Sequence, residues 1–141
     1  MVYEGAMFVF IVATSPALAM DVLFVGNSYT NNNNLPATVR AVFSAADDAA
    51  TTSKLTGGGL NLADHALRAS DPGSEWYSKL VTDSDTREWV VLQDQSQIPG
   101  FPETEPMWRE SRDGAIDLNE LVREAGADTM YFLTWGYRSG D

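Results

Sequence analysis

Three short apolar runs, Val22–Val25, Trp89–Leu92 and Met130–Leu133, constrain this chain more than any other feature. Each is too short for a helix of ordinary length, and each is closed by a polar or glycine-containing segment. That is the pattern of strands buried on both faces, as in a parallel sheet. A weaker run, Thr51–Leu55, is halted by Gly57-Gly58-Gly59 and reads as a further strand. Segments of helical character lie between them. Leu35, Val39, Val42, Phe43 and Ala46 recur at helical spacing behind a polar loop, 28–34, with Asn34 as N-cap and Pro36 in the first turn. Residues 60–69 and 76–81 read as shorter helices, and 107–125 as a long one stopped by Gly126.

The order β-α-β-α-β-α-β predicts a flavodoxin-like three-layer α/β/α sandwich, with about four parallel strands joined by right-handed crossovers. The 141 residues suffice for one domain and not for two. Ligands in such sheets bind beyond the carboxyl ends of the strands, so the segments just after each strand are where chemistry is expected.

Composition removes several classes of function. Zero cysteines exclude disulfides, thiolate nucleophiles and Cys-ligated metal sites, and the single histidine, His65, excludes any site needing two imidazoles. No carboxylates stand at a spacing that points to a metal, and neither a metal nor a cofactor is expected. A formal charge of −11 repels phosphate backbones, which argues against a nucleic-acid partner.

The first nineteen residues stand apart. Ala6–Ala13 is uninterruptedly apolar, and the segment closes with Pro16-Ala17-Leu18-Ala19. This reads as a secretory signal peptide cleaved after Ala19, although its first residues carry Glu4 and no basic residue. The run is shorter than the roughly 20 apolar residues a bilayer span takes. The expectation is a secreted or periplasmic protein, not held in a membrane after cleavage.

Three strand ends carry candidate chemistry. After the first strand come Gly26-Asn27-Ser28-Tyr29-Thr30: a serine on a tight turn entering a helix is either an exposed, rigidly aimed nucleophile or a loop serine bonded to local backbone. After the second, Gly57-Gly58-Gly59 forms either a plain turn or a source of unobstructed backbone N–H donors for an oxyanion or phosphate. The lysine of a phosphate-binding loop is missing there, which weakens a phosphate- or nucleotide-binding reading. After the third, Gln93-Asp94-Gln95-Ser96-Gln97 is dense in amides, the neutral donors that a sugar site or an oxyanion hole uses, or else a solvated loop.

Taken in order, these segments resemble the sequence blocks of the SGNH (GDSL-type) serine hydrolases. V-L-F-V-G-N-S-Y-T is similar to the first block in its G-N-S-x-T variant, and T-G-G-G-L-N-L-A-D-H to the second. V-V-L-Q-D-Q-S-Q sits where the third block, normally G-x-N-D, belongs, with Gln93 for its glycine and Gln95 for its asparagine. The resemblance covers about residues 21–135. It implies a serine esterase, with Ser28 as nucleophile, oxyanion donors from the Ser28 N–H, Gly59 (or Gly58) and the Gln95 side chain, and no cofactor. The implied substrate is a small-molecule or carbohydrate ester, cleaved at an acyl or acetyl group.

The family's Asp-x-x-His motif is not in these residues. The expectation is therefore an SGNH-like domain, 20–141, that lacks its C-terminal part, is catalytically incompetent alone and leaves apolar surface uncovered beside its fourth strand. His65 is expected to be structural, because Asp64 projects about 100° away around the helix and cannot orient its ring. Trp76, Trp89, Trp108 and Trp135 are read as core more readily than as a sugar or acyl pocket. The alternative function is a non-catalytic exported carbohydrate-binding domain that keeps the fold.

Overall fold

A computed structural model describes residues 19–134, apart from the side chain of Asn33. Most of the signal-peptide reading, together with Trp135 and the residues after it, lies outside the described residues. Four strands, β1 (Met20–Gly26), β2 (Ala50–Thr56), β3 (Trp89–Leu92) and β4 (Asp128–Tyr131), form one sheet in the order β2-β1-β3-β4, with every pairing parallel. The α/β/α sandwich read from the alternating pattern is the fold observed.

Side chains alternate between the faces of the sheet with the period of two that a strand imposes. Leu23, Val25, Val90 and Leu92 point to one face, under α3 (Leu62–Ala69) and α5 (Pro106–Glu124), where Leu62, Leu80, Leu118 and Val122 complete the main core. Val22, Phe24 and Val91 point to the other, under Leu35 and Val39 of α2 (Leu35–Ala45). The chain moves from β1 to β2 in one direction and from β2 through β3 to β4 in the other. Right-handed crossovers therefore place α2 on one face and α3 and α5 on the opposite one. The strand order reverses between β1 and β3, and in such sheets ligands bind beyond the carboxyl ends of the strands at that switch point.

Several local expectations are corrected. Residues 28–34, read as a polar loop, form a short helix, α1 (Ser28–Asn31), and a 3₁₀ turn, Asn32–Asn34. Helix formation starts here because the Asn27 side chain accepts a hydrogen bond from the Tyr29 N–H, satisfying a donor that the first turn leaves free. Asn34 stands at the N-cap position as expected, but its side chain makes no capping hydrogen bond: it adopts a left-handed conformation with φ of 52°, which asparagine tolerates, and its carbonyl accepts from the Thr38 hydroxyl. Val42 and Ala46, placed with the apolar face of α2 by spacing, are exposed.

The segment 76–81 begins as α4 (Glu75–Tyr77) and widens into a π turn, Ser78–Thr82. Buried Arg87 closes that turn by donating to the carbonyls of Lys79 and Asp83. The run Met130–Leu133, read as a strand buried on both faces, is not: Met130, Tyr131 and Leu133 are 51, 49 and 80% exposed, so apolar surface beside β4 stands uncovered. On that face α2 reaches only part of the sheet and leaves an apolar groove of about 710 Å³ lined by Met20, Phe43, Trp89, Met130 and Phe132, among others. Among the described residues, no helix is long and apolar enough to cross a membrane.

Candidate active site

Ser28 is the first residue of α1, directly beyond the carboxyl end of β1, and is half-buried. β1 lies between β2 and β3, so the Gly57-Gly58-Gly59 segment and the Gln93–Gln97 segment flank Ser28 on its two sides. The sheet thus gathers the three candidate segments at one edge.

One residue ties them together. Asn27 is 2% exposed, and its Nδ2 donates to the carbonyl of Leu60 at 3.0 Å, just past the glycines, and to that of Asp94 at 3.3 Å. Its Oδ1 accepts from the Tyr29 N–H at 3.1 Å and from Gln93 Nε2 at 2.9 Å. Its backbone N–H donates to Gln93 Oε1 at 3.1 Å, while Gly57 N–H donates to the Gly26 carbonyl at 3.3 Å. Every hydrogen-bonding position of the Asn27 amide is therefore used.

The sequence-derived site residues divide by how free they are. No described residue bonds to the Ser28 N–H or hydroxyl, so both are available to a ligand. Gly58 and Gly59 sit on a turn closed by the Leu60 N–H donating to the Gly57 carbonyl at 3.4 Å, with Gly59 at φ +70° as the third position of such a turn requires. Both are exposed and their N–H groups have no described partner. Gln95 is partly committed: its Oε1 accepts from the N–H groups of Gln97 at 2.7 Å and Ile98 at 3.3 Å, capping the short turn there. Its Nε2 donors stay uncommitted.

Two residues that sequence reasoning passed over build the frame. Gln93, grouped with the amides expected to face the site, is fully buried and turned inward. Asp94 accepts from Leu62 N–H at 3.2 Å and Gln95 N–H at 2.8 Å through Oδ1, and from the buried Ser111 hydroxyl at 2.7 Å through Oδ2. This joins the third segment to α3 and α5. The sequence signal was position alone: Gln93 directly follows the buried residues Val90–Leu92, which does not by itself say which way its side chain turns.

His65 is fully buried on α3, and its Nδ1 accepts from Trp76 Nε1 at 2.8 Å. Burial foremost, helped by the Arg68 charge, lowers its pKa from 6.5 to about 4. The imidazole is therefore neutral near pH 7, with its proton on Nε2. That side of the ring is turned toward the Gly26 carbonyl without a hydrogen-bond partner in bonding geometry. Asp64 is occupied in a capping box with Asn61, and Arg68 stacks over Trp76 at 4.7 Å. Among the described residues, no hydrogen bond links His65 to the Ser28 hydroxyl.

Beside Asp94 a cleft of about 250 Å³ opens, lined by Ile98, Trp108, Ser111, Arg112 and Tyr131 among others. Trp76 and Trp89 pack against the two cores, as expected, whereas Trp108 faces this cleft. No group of three or more metal-ligating side chains occurs among the described residues.

No protein-family model matches the chain, and no curated protein matches it. Among solved structures it is similar to the crystal structure of AlinE4, a SGNH-hydrolase family esterase, with a TM-score of 0.55 and 13% sequence identity. The match covers 83% of this chain and 60% of that one. At that identity the likeness speaks to architecture: the four-stranded parallel sheet and its flanking helices form an SGNH-hydrolase-like α/β/α fold.

Proposed function

We propose that this protein is a serine ester hydrolase of the SGNH type, with Ser28 as its nucleophile. The observation that carries the reading is the unpartnered Ser28 hydroxyl and N–H, held by the Asn27 frame between two segments that offer free donors. Ser28 Oγ would attack the ester carbonyl, expelling the alcohol and leaving an acyl-enzyme that water then cleaves. The developing oxyanion would be met by the N–H groups of Ser28 and Gly59 and by Gln95 Nε2, all neutral donors present before the reaction begins.

The only histidine, His65, has its lone pair occupied by Trp76. On this reading a base other than His65 accepts the Ser28 proton, and without one the serine turns esters over slowly. The sequence resemblance suggests an acyl or acetyl ester of a carbohydrate as substrate, and the cleft beside Asp94, with Trp108 and Tyr131 in its lining, would offer aromatic surface to such a ligand. Export through the leader at 1–19 would place the enzyme where such polymers lie.

The test is labelling with a fluorophosphonate probe, on the 141-residue chain and on the full product of its gene. The full product is expected to label at Ser28 and to lose labelling in Ser28→Ala, whose stability changes by no more than about 0.5 kcal/mol. Labelling indifferent to Ser28→Ala would remove the esterase reading.

The missing base favours a second reading, a non-catalytic exported carbohydrate-binding domain. Calorimetric titration with polysaccharide fragments separates the two, since binding without turnover and unaffected by Ser28→Ala belongs only to the second.

A further inference from the structure

Gln93 is a long polar side chain with no exposed surface, placed where the strand order reverses. Burying an amide without partners is costly, so its contacts reveal what it is for. Its Oε1 accepts from Asn27 N–H at 3.1 Å and from the Thr30 hydroxyl at 2.8 Å. Its Nε2 donates to Asn27 Oδ1 at 2.9 Å and to the Asp94 carbonyl. Asn27 and Thr30 bracket Ser28 in sequence, one before it and one in the same helical turn. The strand end that bears Gln93 therefore grips the nucleophile turn at two points, on backbone and side chain.

The grip leaves no slack. A Cβ on Gly26 would lie 2.7 Å from Gln93 Oε1 and would also strike the Thr30 hydroxyl, so the last residue of β1 has to be glycine for Gln93 to fit. Thr30 itself is 1% exposed.

We propose that Gln93 is a positioning residue, holding the Asn27–Thr30 turn so that the Ser28 N–H and hydroxyl keep one fixed arrangement beyond the carboxyl end of β1. The catalytic half of this claim rests on the esterase reading; the structural half does not. A small misplacement of a nucleophile costs about 100-fold in rate, so a residue that never touches substrate can control the reaction.

The test combines residue-resolved amide hydrogen exchange on the 141-residue chain with fluorophosphonate labelling of the full gene product. In Gln93→Met, which fills the space without hydrogen bonds, the Asn27 amide is expected to exchange about tenfold faster or more. The amides of Leu23–Val25 should keep their wild-type rates, which a general loss of stability would not allow.

Gln93→Glu in its protonated form keeps an acceptor for the Asn27 N–H and a donor toward Asn27 Oδ1, and at mildly acidic pH is expected to return Asn27 exchange toward wild type. Labelling of Ser28 should slow about 100-fold in Gln93→Met and recover in part in Gln93→Glu. If Gln93→Met does not fold, Thr30→Val removes one of the bonds, with exchange over 27–30 expected to rise several-fold. Unchanged exchange in the variant that folds would overturn the proposal. Faster exchange with unchanged labelling would overturn its catalytic half. A wild-type gene product that does not label at Ser28 would instead sink the esterase reading, leaving exchange to decide whether Gln93 holds the turn.

Discussion

Asn27 shows why one polar atom can decide a local structure. Its Nδ2 serves two carbonyls, those of Leu60 and Asp94, so an aspartate there would turn a carboxylate oxygen toward both. Asn27→Asp is therefore expected to lower stability at pH 7 by about 2–3 kcal/mol despite its nearly unchanged shape, read from urea unfolding. A change below half a kcal/mol would mean that the frame is looser than its distances state.

His65 makes a second residue-level prediction. Its folded pKa of about 4 lies below the 6.5 of an unfolded chain. The unfolded state therefore binds more protons between those values, and stability rises with pH across that window. The favourable contribution is fully present above pH 6.5 and is lost as pH falls toward 4, a change of about 3 kcal/mol. His65→Gln removes that titration, so its stability deficit relative to wild type should narrow steadily from pH 7 to pH 4. A constant deficit would show that the imidazole is not titrating from the neutral form.

Between elements, α3 and α5 approach backbone to backbone. A Cβ on Gly114 would lie 2.6 Å from both the backbone N and Cα of Ala63, and backbone cannot rotate away as a side chain does. Helix propensity alone would have Gly114→Ala stabilise α5 by about 1 kcal/mol. The contact reverses the sign, and a net loss of about 1–3 kcal/mol is expected in denaturant melts. Stabilisation by Gly114→Ala would show that α3 and α5 separate easily. The same packing explains how an eight-residue helix stays formed: α3 has a capping box at its start and Leu62, His65 and Ala69 buried along one face.

For the whole molecule, the two faces of the sheet are unequally covered. α3 and α5 close one, whereas α2 leaves the apolar groove beside β4 open. Open apolar surface of this extent attracts hydrophobic dyes in the native state. The 141-residue chain is expected to bind anilinonaphthalene sulfonate below its unfolding transition. Met130→Lys combined with Leu133→Lys should reduce that binding and shift stability by no more than about 0.5 kcal/mol, since both side chains are already exposed. Dye fluorescence unchanged by the double substitution would place the apolar surface elsewhere.

The sequence by itself determined the elements and their order, because a four-residue apolar run and a helical spacing of Leu35, Val39 and Phe43 are local patterns with local physical causes. It also placed Ser28, Gly59 and Gln95 at strand ends, since parallel strands all finish at one edge of their sheet. Only the tertiary structure decided what each polar side chain does there. Gln93 and Gln95 are two residues apart and chemically identical, yet one is sealed inside against Asn27 and the other caps a turn at the surface. The run Met130–Leu133 by itself reads as a strand buried on both faces, yet Met130 and Leu133 are exposed, because burial depends on which neighbours arrive to cover a face, and a strand's own residues carry no record of that.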